Sequence, residues 1–183
     1  FSEGKYEEAI SLFEKAIEGD PDYGWAYIRK ALAYRQIGDA DAMEKAVEEA
    51  IRIGKKTGED NIVSTSRELA YKYFYNKGVK ALKAKNYAEA IPNLEKAIQY
   101  NGNNTLYHYL AICYSQESNF EKAVETAHRG IRHFPGDRDL AVCMGVSCMN
   151  LGRFDKACFH LEKFKGTPEV DNYIQICREK QNR

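Results

Sequence analysis

The 183 residues hold 27 Lys and Arg against 27 Asp and Glu, with 44% apolar and 30% charged side chains, a balance that argues against a strongly basic nucleic-acid binder or an acidic tail protein. The length suits one ordinary domain or a short run of repeats with a shared core. The net charge of zero hides a gradient, because residues 1–60 carry 9 basic and 14 acidic side chains and residues 61–183 carry 18 and 13, a modest dipole along the chain.

Chain order brings out a repeating pattern. GKYEEAISLFEKAIEGDP (4–21) reads as an amphipathic helix with Ala9, Leu12, Phe13 and Ala16 on one face, a half-repeat over residues 1–23. Residues 24–57 form a hairpin: a first helix with Tyr27, Ala31 and Tyr34 inward, then GDADAMEKAVEEAI (38–51). Residues 58–102 carry an insertion around GKKTGEDNIVSTSREL. Gly58 should end the preceding helix, and Thr65 with Glu68 matches a capping box that would start the next, with a start near Asn61 as the alternative. Phe74, Gly78 and Ala81 face inward there, and KNYAEAIPNLEKAIQYN (85–101) follows, with Pro92 in its first two turns predicting a local bend. Residues 103–136 repeat the unit with Tyr107, Ala111 and Tyr114, then SNFEKAVETAHRGIRHFP; residues 137–166 do so with Ala141, Gly145 and Cys148, then GRFDKACFHLEKF. Thr167 and Pro168 open a last helix over 167–183, whose Val170, Tyr173, Ile174 and Cys177 suit a cap for the final hairpin.

The second helices superpose at Tyr6, Ala40, Tyr87, Phe120 and Phe154, spaced 34, 47, 33 and 34 residues apart. A period near 34 marks a repeat array. With Tyr107, Leu110, Ala111, Tyr114, Phe120, Ala123, Ala127 and Pro135 in one unit and Ala9, Phe13, Ala16 and Pro21 in the first, the chain resembles the tetratricopeptide repeat family. The resemblance implies an all-α, right-handed superhelical α-solenoid of helical hairpins forming a single repeat domain. Lys30 and Lys77 stand where the family usually has leucine, and the hairpin at 24–57 has Met43 and Val47 for the usual Ala and aromatic, so it is expected to be the loosest.

In that family the first helix of each hairpin lines a concave groove that holds peptides. The corresponding positions here include Trp25, Ile28, Arg29, Leu32 and Arg35; Lys72, Tyr75, Asn76, Val79, Lys80 and Lys83; Thr105, His108, Tyr109, Ile112 and Gln116; and Val142, Val146, Met149 and Asn150. Of these, Val79, Ile112 and Val146 favour packing between repeats, whereas Trp25 and Tyr75 are the stronger anchors. The expected function is non-catalytic binding of a protein or peptide segment, acidic or amphipathic in character. The family's clamp for chaperone C-terminal carboxylates is not matched: Ile28, Leu32, Asn76, Thr105 and Tyr109 stand at its positions, and only the Asn fits.

Two alternatives remain: self-association through the first helix, and single-stranded nucleic acid on the face of Tyr75 and its neighbouring lysines. In YKYFYNKGVKALKAKNY (71–87), however, the rings mostly build the solenoid, and only Tyr75 clearly shares a face with lysines. Five cysteines without a CxxC pair lie in apolar helical patterns and read as small core residues; they favour a reducing, cytoplasmic setting. Neither a metal nor another cofactor is expected. The four histidines have no HExxH or paired-carboxylate context, so an enzyme is not expected. No stretch approaches the roughly 18 apolar residues of a membrane span, and a targeting segment could precede Phe1.

Overall fold

Short polar residues start half of the helices. Asp39, Asn86, Asn103, Asn119 and Asp137 each accept a hydrogen bond from the backbone N–H three residues on, at 2.9 to 3.3 Å, which satisfies an otherwise orphaned donor and contributes about 0.5–2 kcal/mol each. In the computed structural model, which describes residues 3–181, they separate α1 (Glu3–Gly19), α2 (Gly24–Ile37), α3 (Ala40–Thr57), α4 (Asp60–Lys83), α5 (Tyr87–Asn101), α6 (Asn104–Gln116), α7 (Phe120–His133), α8 (Arg138–Asn150), α9 (Phe154–Leu161) and α10 (Pro168–Gln181), with a 3-10 turn at Glu162–Phe164 before the last. The described residues contain no strand. The fold is all-α, of stacked helical hairpins, and the chain divides into two compact units within α4, between Phe74 and Tyr75.

The first unit runs from α1 to the first part of α4. On α1, Ile10 is buried and Tyr6, Ala9, Phe13, Ala16 and Ile17 are half-buried, whereas Leu12 is 58% exposed. The inward arc is therefore narrower than the expected face, and Leu12 falls just outside it. Gly58, at φ 75°, closes α3, with the N–H of Glu59 donating to the carbonyl of Gly54 at 2.8 Å. α4 then begins at Asp60, so Thr65 and Glu68 lie inside it and cap nothing; the alternative start near Asn61 is the better one. Ile62 explains the early start. It is fully buried where Gly24 and Gly54 leave room, and a Cβ built on Gly24 would lie 2.5 Å from Ile62 Cδ1. Lys30 pairs with Glu14 at 2.8 Å, and Lys56 with Asp22 at 2.8 Å.

The second unit takes the rest of α4 and all that follows. Gly78 and Gly145 occupy the same repeat position, and each receives a leucine sixteen residues on: a Cβ on Gly78 would meet Leu94 at 2.9 Å, and one on Gly145 would meet Leu161 at 2.6 Å. Tight approach of paired helices is why the repeat keeps a small residue there. Pro92 is exposed at the sixth position of α5, which continues through it as one helix. At the far end, Val170, Ile174 and Cys177 of α10 join Cys158 and Leu161 of α9 in one apolar cluster, with Tyr173 at its edge.

Candidate functional site

α6 and α8 lie side by side, and two polar contacts hold their register. Asn104 Nδ2 donates to Asp137 Oδ2 at 2.8 Å near their N-termini, and the hydroxyls of Ser115 and Ser147 are 3.0 Å apart near their C-termini. Between these ties lies a cavity of about 310 Å³, within the range of ligand-holding clefts. Ile112, Val142, Cys143 and Val146 supply its apolar side; His108, Ser115, Gln116, Arg138, Asp139 and, from α10, Glu169 supply polar groups. Arg138 is anchored, since its guanidinium donates to Thr167 Oγ1 at 3.1 Å.

Among the described residues no group of His, Cys, Asp and Glu is arranged to hold a metal ion. Cys143 is half-buried rather than a core residue, and burial, followed by Asp139 and Asp137, pushes its thiol up to about 12. It stays protonated near neutral pH and acts as a soft, weakly polar wall. Cys113, Cys148, Cys158 and Cys177 are buried.

Of the residues expected to form a groove, His108 and Gln116 line this cavity together with Ile112, Val142 and Val146. Tyr109 is half-buried on α6, its ring 6.2 Å from that of His108, outside the cavity lining. Asn76, Lys80 and Lys83 are exposed on α4, and Tyr75 is half-buried beside them. In the first unit, Trp25 is 36% exposed, Arg29 is exposed and Arg35 half-buried on α2. Ile28 is a correction: at 3% exposure it is buried and presents almost no surface to a ligand. Lys72 forms an ion pair with Glu68 one turn earlier at 2.6 Å, so its charge is already partly answered. Arg138 and Asp139 were missed, although the register that aligns α6 with α8 sets Arg138 opposite Thr105. Cys143 and Glu169 carried no local signal.

The profile of the tetratricopeptide repeat matches residues 1–59 and 81–142. Among solved structures, the TPR2AB domain of yeast Sti1, in a complex with pHSP90, aligns with a TM-score of 0.56 at 14% identity over 96% of this chain and 80% of that one. The APC/C hetero-tetramer Cut9-Hcn1 aligns with a TM-score of 0.52 at 16% identity, over 95% of this chain and 40% of that one. MamA MSR-1 C2 aligns with a TM-score of 0.50 at 19% identity, over 92% and 88%. No curated protein sequence matches significantly. With the profile covering well over half of its residues and the paired helices recurring in register, the chain belongs to the tetratricopeptide repeat family.

Proposed function

We infer that the chain is a non-catalytic interaction scaffold that seats a segment of another protein along α6 and α8. The observation that carries this reading is the cavity between them, apolar on one side and rimmed by His108, Gln116, Arg138, Asp139 and Glu169. An amphipathic segment answers that chemistry: one bulky aliphatic side chain fills the apolar part, and adjacent polar groups bond to the rim. A complex between a domain of this fold and another protein's segment has its example in yeast Sti1 with pHSP90. Trp25 and Arg29 on α2, and Tyr75, Asn76, Lys80 and Lys83 on α4, are proposed as further contacts, each to be tested by its own substitution.

Selection from a displayed peptide library, followed by titration of the enriched peptides, tests the reading. Enriched sequences should share an aliphatic anchor, and Val142→Asp should weaken them by at least about tenfold, since a buried unpaired carboxylate replaces an apolar contact. A circular-dichroism spectrum shows whether the variant keeps its fold, and Ile112→Ala provides a milder change in the same wall. No enrichment, or equal affinity of folded variants, rejects it. A single-stranded oligonucleotide titrated across salt covers the nucleic-acid alternative, which requires a steep salt dependence.

A further inference from the structure

Where α9 meets the last helix, the core of the second unit gathers thiols. α9 and α10 pack against each other, and Cys158 of α9 and Cys177 of α10 share one apolar cluster with Cys148 of α8. All three are free. The Cys158 thiol donates to the backbone carbonyl of Ile174 at 3.9 Å, one helical turn before Cys177 and on the same face of α10. Cys177 in turn hydrogen-bonds to Cys158, whereas Cys148 acts on it only through space. Cys158 is 7% exposed, against 0% for Cys148 and Cys177. The guanidinium of Arg178 hydrogen-bonds to the Cys158 sulfur while it pairs with Glu162 at 2.7 Å. Ile174 and Arg178, which both touch Cys158, also line a surface cleft of about 480 Å³ together with Lys165, Asp171, Gln175 and Glu179. A small oxidant in that cleft is therefore beside the most accessible of the three sulfurs.

We propose that Cys158 and Cys177 are a redox-active pair, which a peroxide converts to a disulfide that fastens α10 to α9. Buried cysteines are ordinarily inert, but here the two side chains are in direct contact, a cation adjoins one sulfur, and a cleft leads to it. Cys158, as the thiolate, attacks one peroxide oxygen; the O–O bond breaks, and the departing hydroxide takes up a proton to leave as water. The product at Cys158 is a sulfenic acid. The sulfur of Cys177 then attacks the sulfur of Cys158, the S–O bond breaks, and the Cys177 proton leaves with that hydroxide as a second water. The two thiols lose two electrons, and the peroxide is reduced to two waters. Burial, followed by Cys158 and Cys148, pushes the Cys177 thiol up to about 11, so it stays protonated near neutral pH and suits the second step rather than the first. Arg178 offsets negative charge on the attacking sulfur. The pair lies outside the lining of the cavity between α6 and α8.

The test treats the folded, reduced chain with hydrogen peroxide at a level that leaves its circular-dichroism spectrum unchanged, traps the remaining thiols with N-ethylmaleimide and maps the peptides by mass spectrometry. The expected product is a peptide pair joined through Cys158 and Cys177, lighter by two hydrogen atoms and separated again by dithiothreitol. Amide exchange over α10 should slow by at least about tenfold in the linked chain. Arg178→Gln, at an exposed site, should form the bond several-fold more slowly, and Cys148→Ala should still form it. In Cys177→Ala the reaction should stop at the sulfenic acid of Cys158, captured by dimedone. Because the mapping uses the parent chain, a variant that fails to fold does not shield the pairing. Thiols that stay free, over-oxidised Cys158 without a cross-link, or a main linkage through Cys148 or between chains overturns the proposal. An equal rate in Arg178→Gln, or α10 exchange unchanged by the bond, overturns it as well.

Discussion

Gly145→Ala isolates the contact that sets α8 against α9. A Cβ at this position would lie 2.6 Å from Leu161 Cγ, 2.8 Å from Cδ2 and 3.0 Å from Cδ1. The obstacle includes the branch point of a side chain that is fully buried, so Leu161 cannot swing aside without moving the cluster it shares with Cys158 and Val170. Overpacking of this kind costs about 1–3 kcal/mol, against a gain of about 1 kcal/mol for alanine over glycine inside a helix. Contact at the γ-carbon puts the cost in the upper part of its range and leaves a net loss of about 1–2 kcal/mol. For a chain of this length that lowers the thermal midpoint by about 2–8 °C, readable by circular dichroism. Leu161→Ala alone should cost about 2–5 kcal/mol; the double variant should cost less than the sum, because the new methyl occupies part of the space vacated. Gly19→Ala, with nothing within 4 Å of its Cβ, is the control and should be no less stable than the parent. A Gly145→Ala protein as stable as the parent, or strict additivity in the double variant, would refute the close-packing argument.

The imidazole of His160 has its pKa lowered by burial, then by Lys163 and His128, so its contribution to stability is complete above the unfolded value of 6.5 and is lost as pH falls through the lower folded value. Denaturant midpoints measured from neutral to mildly acidic pH should therefore decline less in His160→Gln, and parallel declines would remove the histidine from the account. Deleting residues 167–183 takes Val170, Ile174 and Cys177 off the apolar face of α9 and should lower the midpoint or the solubility; no change in either would deny α10 a capping role. Replacing Lys72 and Lys83 together with Glu should weaken a groove-bound acidic peptide far more than it alters stability, with the loss shrinking at high salt. Lys15 and Lys55, exposed and outside the expected groove, form the control pair for net charge; equal loss from both pairs would mean that the partner reads overall charge. Amide exchange should find residues 7–17 less protected than α7, or sedimentation should find self-association through Leu12 and its neighbours; a monomer with equal protection contradicts both.

The helical hairpins and their order were readable from the chain because a repeat writes its packing rules several times over. Tyr27, Tyr107, Gly78 and Gly145 sit at positions whose neighbours in space are also near in sequence, so periodicity alone reveals which side turns inward. Gly58 announced its own turn for the same reason, since a left-handed residue after a helix is a local event. What the chain could not announce depends on helices that are not consecutive. Thr65 and Glu68 satisfy the capping pattern equally well inside a helix, and it is the burial of Ile62 between Gly24 and Gly54 that moves the start of α4 back to Asp60. Ile28 and Ile112 look alike on a helical wheel, yet one is buried and the other lines a cavity, because that difference belongs to whichever helix lies alongside. Arg138, Cys143 and Glu169 meet His108 and Gln116 only after α6, α8 and α10 are set side by side. Local sequence decides which face of a helix is apolar; only tertiary packing decides how much of that face is covered and how much is left open for a partner.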